Sequence, residues 1–123
     1  MICLDTNYLI RCLEPGSEEA DRITAWYRRG ERLLAPTTAW YEFLCGPVTP
    51  EQEEAVRAFL AEVIPFGEEQ ARAAAHLYNA TGRRRHLRVD AMIAATALVA
   101  GASLATGNRG DFEPFLAHGL KLV

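Results

Sequence analysis

Short apolar runs alternate with helix-like segments along the chain, and this alternation restricts the available folds more than any other feature. Ile2-Cys3-Leu4 reads as a strand. Thr6 to Leu13 places Leu9, Ile10 and Leu13 at helical spacing, and Pro15-Gly16 ends it. Ser17-Glu18-Glu19 supplies a cap and an acidic first turn for a helix to about Arg29, stopped by Gly30. A strand over Arg32 to Ala35 ends at Pro36, and Thr37 or Thr38 then caps a helix through Leu44. Thr49-Pro50-Glu51-Gln52 opens another helix. Val63 to Phe66 is a strand whose Pro65 argues for an edge or an end. Glu68 to Thr81 is helical, with Ala71, Ala74, Ala75 and Tyr78 on one face. Asp90 to Ala100 is a clear helix ended by Gly101, Ser103 to Ala105 is a strand, and a last short strand is expected at Leu120 to Val123. Strands alternating with helices predict an α/β sandwich around a mostly parallel sheet of four to five strands, in one domain spanning residues 1–123.

Composition narrows the function classes. Half of the residues are hydrophobic and 24% are charged, an ordinary globular balance with material for a core. No apolar run reaches the roughly 20 residues of a membrane helix, so no membrane partner is expected. The first residues lack a basic stretch ahead of an apolar one, so no secretory signal is read. Cys3, Cys12 and Cys45 form no Cys-x-x-Cys pair, which argues against zinc and against a disulfide framework. The expectation is three reduced, mostly buried thiols in a cytoplasmic protein. A net charge of −3 does not suit nucleic-acid binding by bulk attraction. Charge is unevenly spread, however: Gly82 to Arg88 (G-R-R-R-H-L-R) holds four arginines.

In parallel α/β folds, sites form beyond the carboxyl ends of the strands. Asp5 follows the first strand, and the helix after the second carries Glu42. Thr106, Asn108 and Asp111 follow Ser103 to Ala105, and Asp90 opens the helix leading into that strand. Three or four carboxylates thus converge on one crevice. Clustered carboxylates repel one another and lose hydration, so such a group calls for a cation. Oxygen donors without His or Cys suit Mg²⁺ or Mn²⁺. An ion of this kind retains waters, one of which can serve as nucleophile toward a phosphodiester. Each acid also has a plainer reading. Asp5 and Asp90 can cap helices, Glu42 can be an exposed helical glutamate (its apolar neighbours argue for a position near a buried surface), and Asp111 can start a short helix.

These blocks resemble the PIN-domain ribonucleases, and within them the VapC-like toxins. L-D-T-N-Y-L-I (Leu4 to Ile10) is similar to the first family motif, and T-A-W-Y-E-F-L-C-G (Thr38 to Gly46) to the second. V-D-A-M-I-A-A-T-A-L (Val89 to Leu98) resembles the third and L-A-T-G-N-R-G-D-F (Leu104 to Phe112) the fourth. The resemblance implies a PIN-like three-layer α/β/α sandwich and a Mg²⁺- or Mn²⁺-dependent endoribonuclease. It implies Asp5, Glu42 and Asp90 as core metal ligands, with Thr6, Asn7 and Thr106 in support. Many family members carry an acid two residues after the motif threonine. Asn108 stands there in this chain, and Asp111 follows three residues on. Asn108 is therefore expected as a neutral contact and Asp111 as a direct or water-mediated fourth acid, with the choice between one ion and two left open.

The resemblance further implies an RNA substrate, a cognate antitoxin whose C-terminal segment covers the acidic site, and a homodimer. Trp26, Tyr27, Trp40 and Tyr41 are candidate antitoxin contacts, with core packing as the plainer role for most. Arg83, Arg84, Arg85 and Arg88 are expected at the crevice rim, holding RNA phosphates or antitoxin; the plainer reading is a solvated helix end. His76, His86 and His118 show no triad or ligand spacing. Competing readings are a catalytically inactive scaffold or DNA-binding regulatory partner, a structure-specific DNA nuclease, and a haloacid-dehalogenase-like phosphatase. The chain is short for the second of these, and the last wants an Asp where Asn7 stands.

Overall fold

The computed structural model describes all 123 residues. Four strands form one all-parallel sheet: β1 (Ile2–Leu4), β2 (Leu33–Pro36), β3 (Glu62–Ile64) and β4 (Ser103–Ala105), in the spatial order β3-β2-β1-β4. Every residue of β1 and β2 is buried. Successive strand residues point to opposite faces, so an unbroken buried run means that both faces of the sheet are covered. The helices are α1 (Thr6–Arg11), α2 (Glu18–Arg28), α3 (Thr37–Leu44), α4 (Pro50–Phe59), α5 (Glu68–Ala80), α6 (Arg88–Ala100) and α7 (Arg109–Phe112), with 3₁₀ turns at Arg85–Leu87 and Glu113–His118. No helix is long and apolar enough to cross a membrane.

The strand order contains a reversal. From β1 the chain steps outward to β2 and β3, then returns to place β4 on the other side of β1. The carboxyl ends of β1 and β4 therefore flank a topological switch point, where parallel sheets open a crevice. The backbone N–H of Asp5 donates to the carbonyl of Ala105 at 3.0 Å and locks the two strand ends together.

The elements follow local sequence. Ser17 caps α2 by accepting from the Ala20 N–H, and Thr49 with Gln52 forms a complete capping box on α4. Gly101 ends α6 at φ +69°, a left-handed conformation that favours glycine. The α5 and α6 helices pack on each other, with Ala74 and Leu77 of α5 and Ala91 and Ala95 of α6 buried. Phe43, Phe112 and Phe115 are fully buried in the core.

Four local expectations are corrected. The α3 helix is capped by neither threonine: Pro36 is its N-cap residue, and the Thr37 hydroxyl instead donates to the Ile64 carbonyl, tying α3 to β3. The β3 strand ends before Pro65, which has no N–H for the ladder. The α6 helix starts at Arg88 because the 3₁₀ turn over Arg85–Leu87 buries Leu87 and leads directly into it. The C-terminal strand reduces to one parallel bridge, Leu104 to Leu122. The thiols also divide. Cys3 is buried, Cys12 partly so and Cys45 exposed, and all three are free. Burial, reinforced by Asp5, pushes the Cys3 thiol up to about 12, which leaves it an inert core group.

Candidate metal centre

Asp5 stands at the crevice between β1 and β4, with only 4% of its surface exposed. Both its oxygens are engaged. Oδ1 accepts from the Thr6 N–H at 2.7 Å, which caps α1, and Oδ2 accepts from the Thr106 hydroxyl at 2.7 Å. The capping reading of Asp5 thus holds, and the cap leaves its carboxylate at the crevice. Thr106 also accepts from the Asn108 N–H at 3.0 Å, so the start of the β4–α7 loop is built on the same hydroxyl. Thr6 extends the network the other way, donating its hydroxyl to Glu42 Oε1 at 2.8 Å. Asn7 Oδ1 lies 3.5 Å from the Gly107 N–H, a long contact joining the β1–α1 and β4–α7 connections.

The acids occupy different depths. Asp90 is half-buried, as the third residue of α6, where the helix dipole favours an anion although no cap hydrogen bond forms. Glu42 is exposed although apolar residues flank it, as its plainer reading as an exposed helical glutamate allowed. The α3 helix buries only Ala39 and Phe43, and Glu42 lies off that stripe, tethered by Thr6. Asp111 is exposed in α7, and Asn108 precedes that helix without a side-chain capping bond.

Electrostatics join what the chain separates. Desolvation raises the Asp5 carboxyl above its ordinary value, opposed by the bonds from Thr106 and Thr6 and assisted by repulsion from Glu42 and Asp111. Desolvation and then repulsion from Asp5, Asp111 and Glu42 raise Asp90 to about 6. All four acids therefore share one electric field. No arginine or lysine is among the groups that shift either aspartate. As arranged, no three Asp, Glu, His or Cys side chains close on a common point. Like charges left to themselves move apart; of the two outer acids Glu42 is tethered by Thr6 and Asp111 is exposed. The donor set is all oxygen, buried at its base and without a protein cation, which fits a hard divalent ion such as Mg²⁺ or Mn²⁺.

The arginine run is held largely against the end of α5. Arg83 and Arg88 each lie over the ring of Tyr78, with the guanidinium carbon 5.5 Å from its centroid, and Arg83 also donates to the Asn79 side chain. Arg84 donates to the Thr81 carbonyl, and Arg85 is exposed. Sequence reasoning placed Tyr78 on the packing face of α5 and missed its hold on these arginines; nothing in the spacing signalled it. Of the aromatic candidates, Tyr27 and Tyr41 are exposed at 58% and 68%, Trp40 is partly buried against the core, and Trp26 is buried and stacked on Tyr8 at 5.9 Å. His76 and His118 are exposed and meet edge to face at 6.0 Å, away from the acids.

No curated protein matches this chain significantly. Among solved structures, a toxin–antitoxin complex from Klebsiella pneumoniae contains a chain similar at TM-score 0.73 and 25% identity, over 92% of this chain and 91% of that one. FitAcB from Neisseria gonorrhoeae matches at TM-score 0.73 and 23% identity, over 100% and 97%. DNA-bound VapBC from Salmonella typhimurium matches at TM-score 0.71 and 19% identity, over 99% and 96%. The PIN domain family model matches residues 2–113, from the first strand through all four acids. The four-stranded parallel sheet, the acids at its switch point and this match agree, and the chain belongs to the PIN domain family.

Proposed function

We propose that this chain is a Mg²⁺- or Mn²⁺-dependent endoribonuclease and the toxin component of a toxin–antitoxin pair. In this reading it acts in the cytoplasm as a homodimer held in check by a cognate antitoxin. The observation that carries the catalytic reading is the shared field of Asp5, Glu42, Asp90 and Asp111, which raises two of the four with no protein cation to offset it. The partner reading draws on the likeness to a chain solved in a toxin–antitoxin complex.

Asp5, Glu42 and Asp90 would hold the ion, with Asp111 reaching it directly or through water. Once bound, the ion supplies Lewis-acid polarisation of a phosphate and a lowered pKa for a coordinated water. The chain's own groups do the rest. Thr106 and the Thr6 N–H fix the Asp5 carboxylate and favour its ionised form, and Thr6 orients Glu42. Asn108 and Asn7 stand at the mouth as neutral contacts for the substrate.

Two expected results test the site. Ligands bind metal deprotonated, so apparent Mg²⁺ or Mn²⁺ affinity should climb through about pH 6, the Asp90 value, and level off above it. Calorimetry in buffers of different ionisation enthalpy should show proton release on binding near that pH. An affinity that is flat with pH and indifferent to Asp90→Asn would separate Asp90 from the metal. Thr106→Val should lower metal-dependent RNA cleavage about 10–100-fold, the usual effect of losing a group that orients a ligand. It should also cost about 1–3 kcal/mol, since Asp5 Oδ2 and the Asn108 N–H lose their shared partner. Unchanged cleavage in a folded Thr106→Val protein would contradict the role given to Asp5.

A second reading, a catalytically inactive PIN scaffold or DNA-binding regulatory partner, draws on the acids' open arrangement. It predicts neither metal binding nor cleavage in protein freed of antitoxin.

A further inference from the structure

We propose that Tyr78 is a positioning residue that holds Arg83 and Arg88 as a two-cation platform for the phosphates of single-stranded RNA, at the start of the helix that carries Asp90. The inference rests on the ribonuclease reading and deepens it.

Tyr78 lies near the end of α5 and is half-buried. Its hydroxyl donates to the Arg83 carbonyl at 2.8 Å, and its own carbonyl accepts the Arg83 N–H at 3.0 Å. Between these bonds the backbone passes through Gly82 at φ +91° and Arg83 at φ +55°. Arg83 is the one non-glycine residue of the chain with positive φ, a conformation that persists only where its surroundings impose it. Tyr78 imposes it at both ends. The same ring then receives the guanidiniums of Arg83 and, from the start of α6, Arg88. Two residues five apart in sequence are thereby brought to one aromatic surface.

The charges are uncompensated. The five ion pairs of the structure involve the N-terminal amine, Arg11, Arg22 and Arg32, and none involves Arg83, Arg84, Arg85 or Arg88. Guanidiniums set on a ring satisfy their planar faces; Arg83 gives one N–H to Asn79, and its remaining N–H groups and those of Arg88 stay available to an anion. Two unpaired guanidiniums sharing one ring repel each other, and an anion between or beside them relieves this. In α6, Arg88 lies against Tyr78 while Asp90, two residues later, joins the acids. The platform thus gives a chain whose overall charge of −3 provides no general attraction a local hold on phosphates at the start of the helix that carries Asp90.

The experiment measures binding of a fluorescein-labelled single-stranded oligoribonucleotide to the purified chain in chelator, across a salt series. Arg83→Gly, which suits the left-handed backbone, combined with Arg88→Gln should flatten the slope of log affinity against log salt by about 1 to 1.5, as for two lost phosphate contacts on single strands. Tyr78→Leu removes no charge, yet should weaken binding about tenfold as both cations lose their support. Tyr78→Phe keeps the ring and should fall between this variant and the wild type. In metal-dependent cleavage, Tyr78→Leu should raise KM with kcat little changed. A folded Tyr78→Leu protein with wild-type affinity and salt slope would overturn the proposal. If that variant does not fold, an unchanged slope in the Arg83→Gly/Arg88→Gln protein overturns it instead. Asp90-dependent cleavage by wild type alongside unaffected platform variants would sink the platform alone; no RNA binding by wild type would sink it together with the ribonuclease reading.

Discussion

Asp5→Asn is expected to reduce metal-dependent RNA cleavage by more than about 100-fold, beyond the roughly 10–100-fold that outer partners of a metal ligand command. Asp5 is the deepest of the four acids, and its two oxygens are already held by Thr6 and Thr106. Asn retains a side-chain oxygen to cap α1, so the variant should fold and lose the charge alone. Depth also predicts a ranking. Asp90→Asn should approach the Asp5 effect, while Glu42→Gln and Asp111→Asn, both exposed, should be milder because water can replace an exposed ligand. Single-turnover cleavage rates, with thermal unfolding of each variant alongside, give the order directly. Losses under about threefold in all four folded variants would remove the acids from the mechanism.

Asp90→Asn should make the metal-free protein more stable. The Asp90 carboxyl rises from 3.8 to about 6 on folding, so the folded state holds a proton that the unfolded chain releases. Stability from this group is full below about pH 3.8 and is lost as pH rises through about 6. Above that pH the folded protein carries a half-buried anion facing three other acids, and Asn removes it. Discounted for solvent screening, the gain is about 1–2 kcal/mol at neutral pH, or roughly 3–10 °C in Tm for a chain of this size. It should shrink to almost nothing near pH 3, where both states are largely protonated. Saturating Mg²⁺ should reverse it, because the ion stabilises wild type by binding its folded state and has less to bind in the variant. Calorimetric melting at two pH values, with and without Mg²⁺, distinguishes this outcome from a simple packing change, which would depend on neither.

Both predictions come from relations that sequence conveys only in part. Asp5 was legible because it follows an apolar triplet at the chain's start, and a parallel sheet places its sites there. Its hold by Thr106, 101 residues away, was not legible, since it depends on β4 returning beside β1 rather than beyond β3. Glu42 was expected near a buried surface and is exposed: composition around a residue says little about which helical stripe it occupies. Thr37 looked like a cap and serves as a link to β3, because capping and strand-end bonding use the same hydroxyl and only the tertiary arrangement decides between them. The arginine run was visible as charge, whereas its orientation toward Tyr78 arises from a left-handed turn at Gly82 and Arg83 that one glycine in the sequence does not specify. Local patterns thus placed the elements and the acids on them, and long-range pairing set how deep each acid lies and what it touches.

The most direct measurement is cleavage of a panel of cellular RNAs by purified protein stripped of any antitoxin, with Mg²⁺ or Mn²⁺ and with chelator, beside Asp90→Asn. Cleavage that requires both the divalent ion and Asp90 is the expected result. Intact RNA throughout, together with no metal binding by calorimetry, would contradict the nuclease reading and leave the chain as a PIN-fold scaffold or regulatory partner.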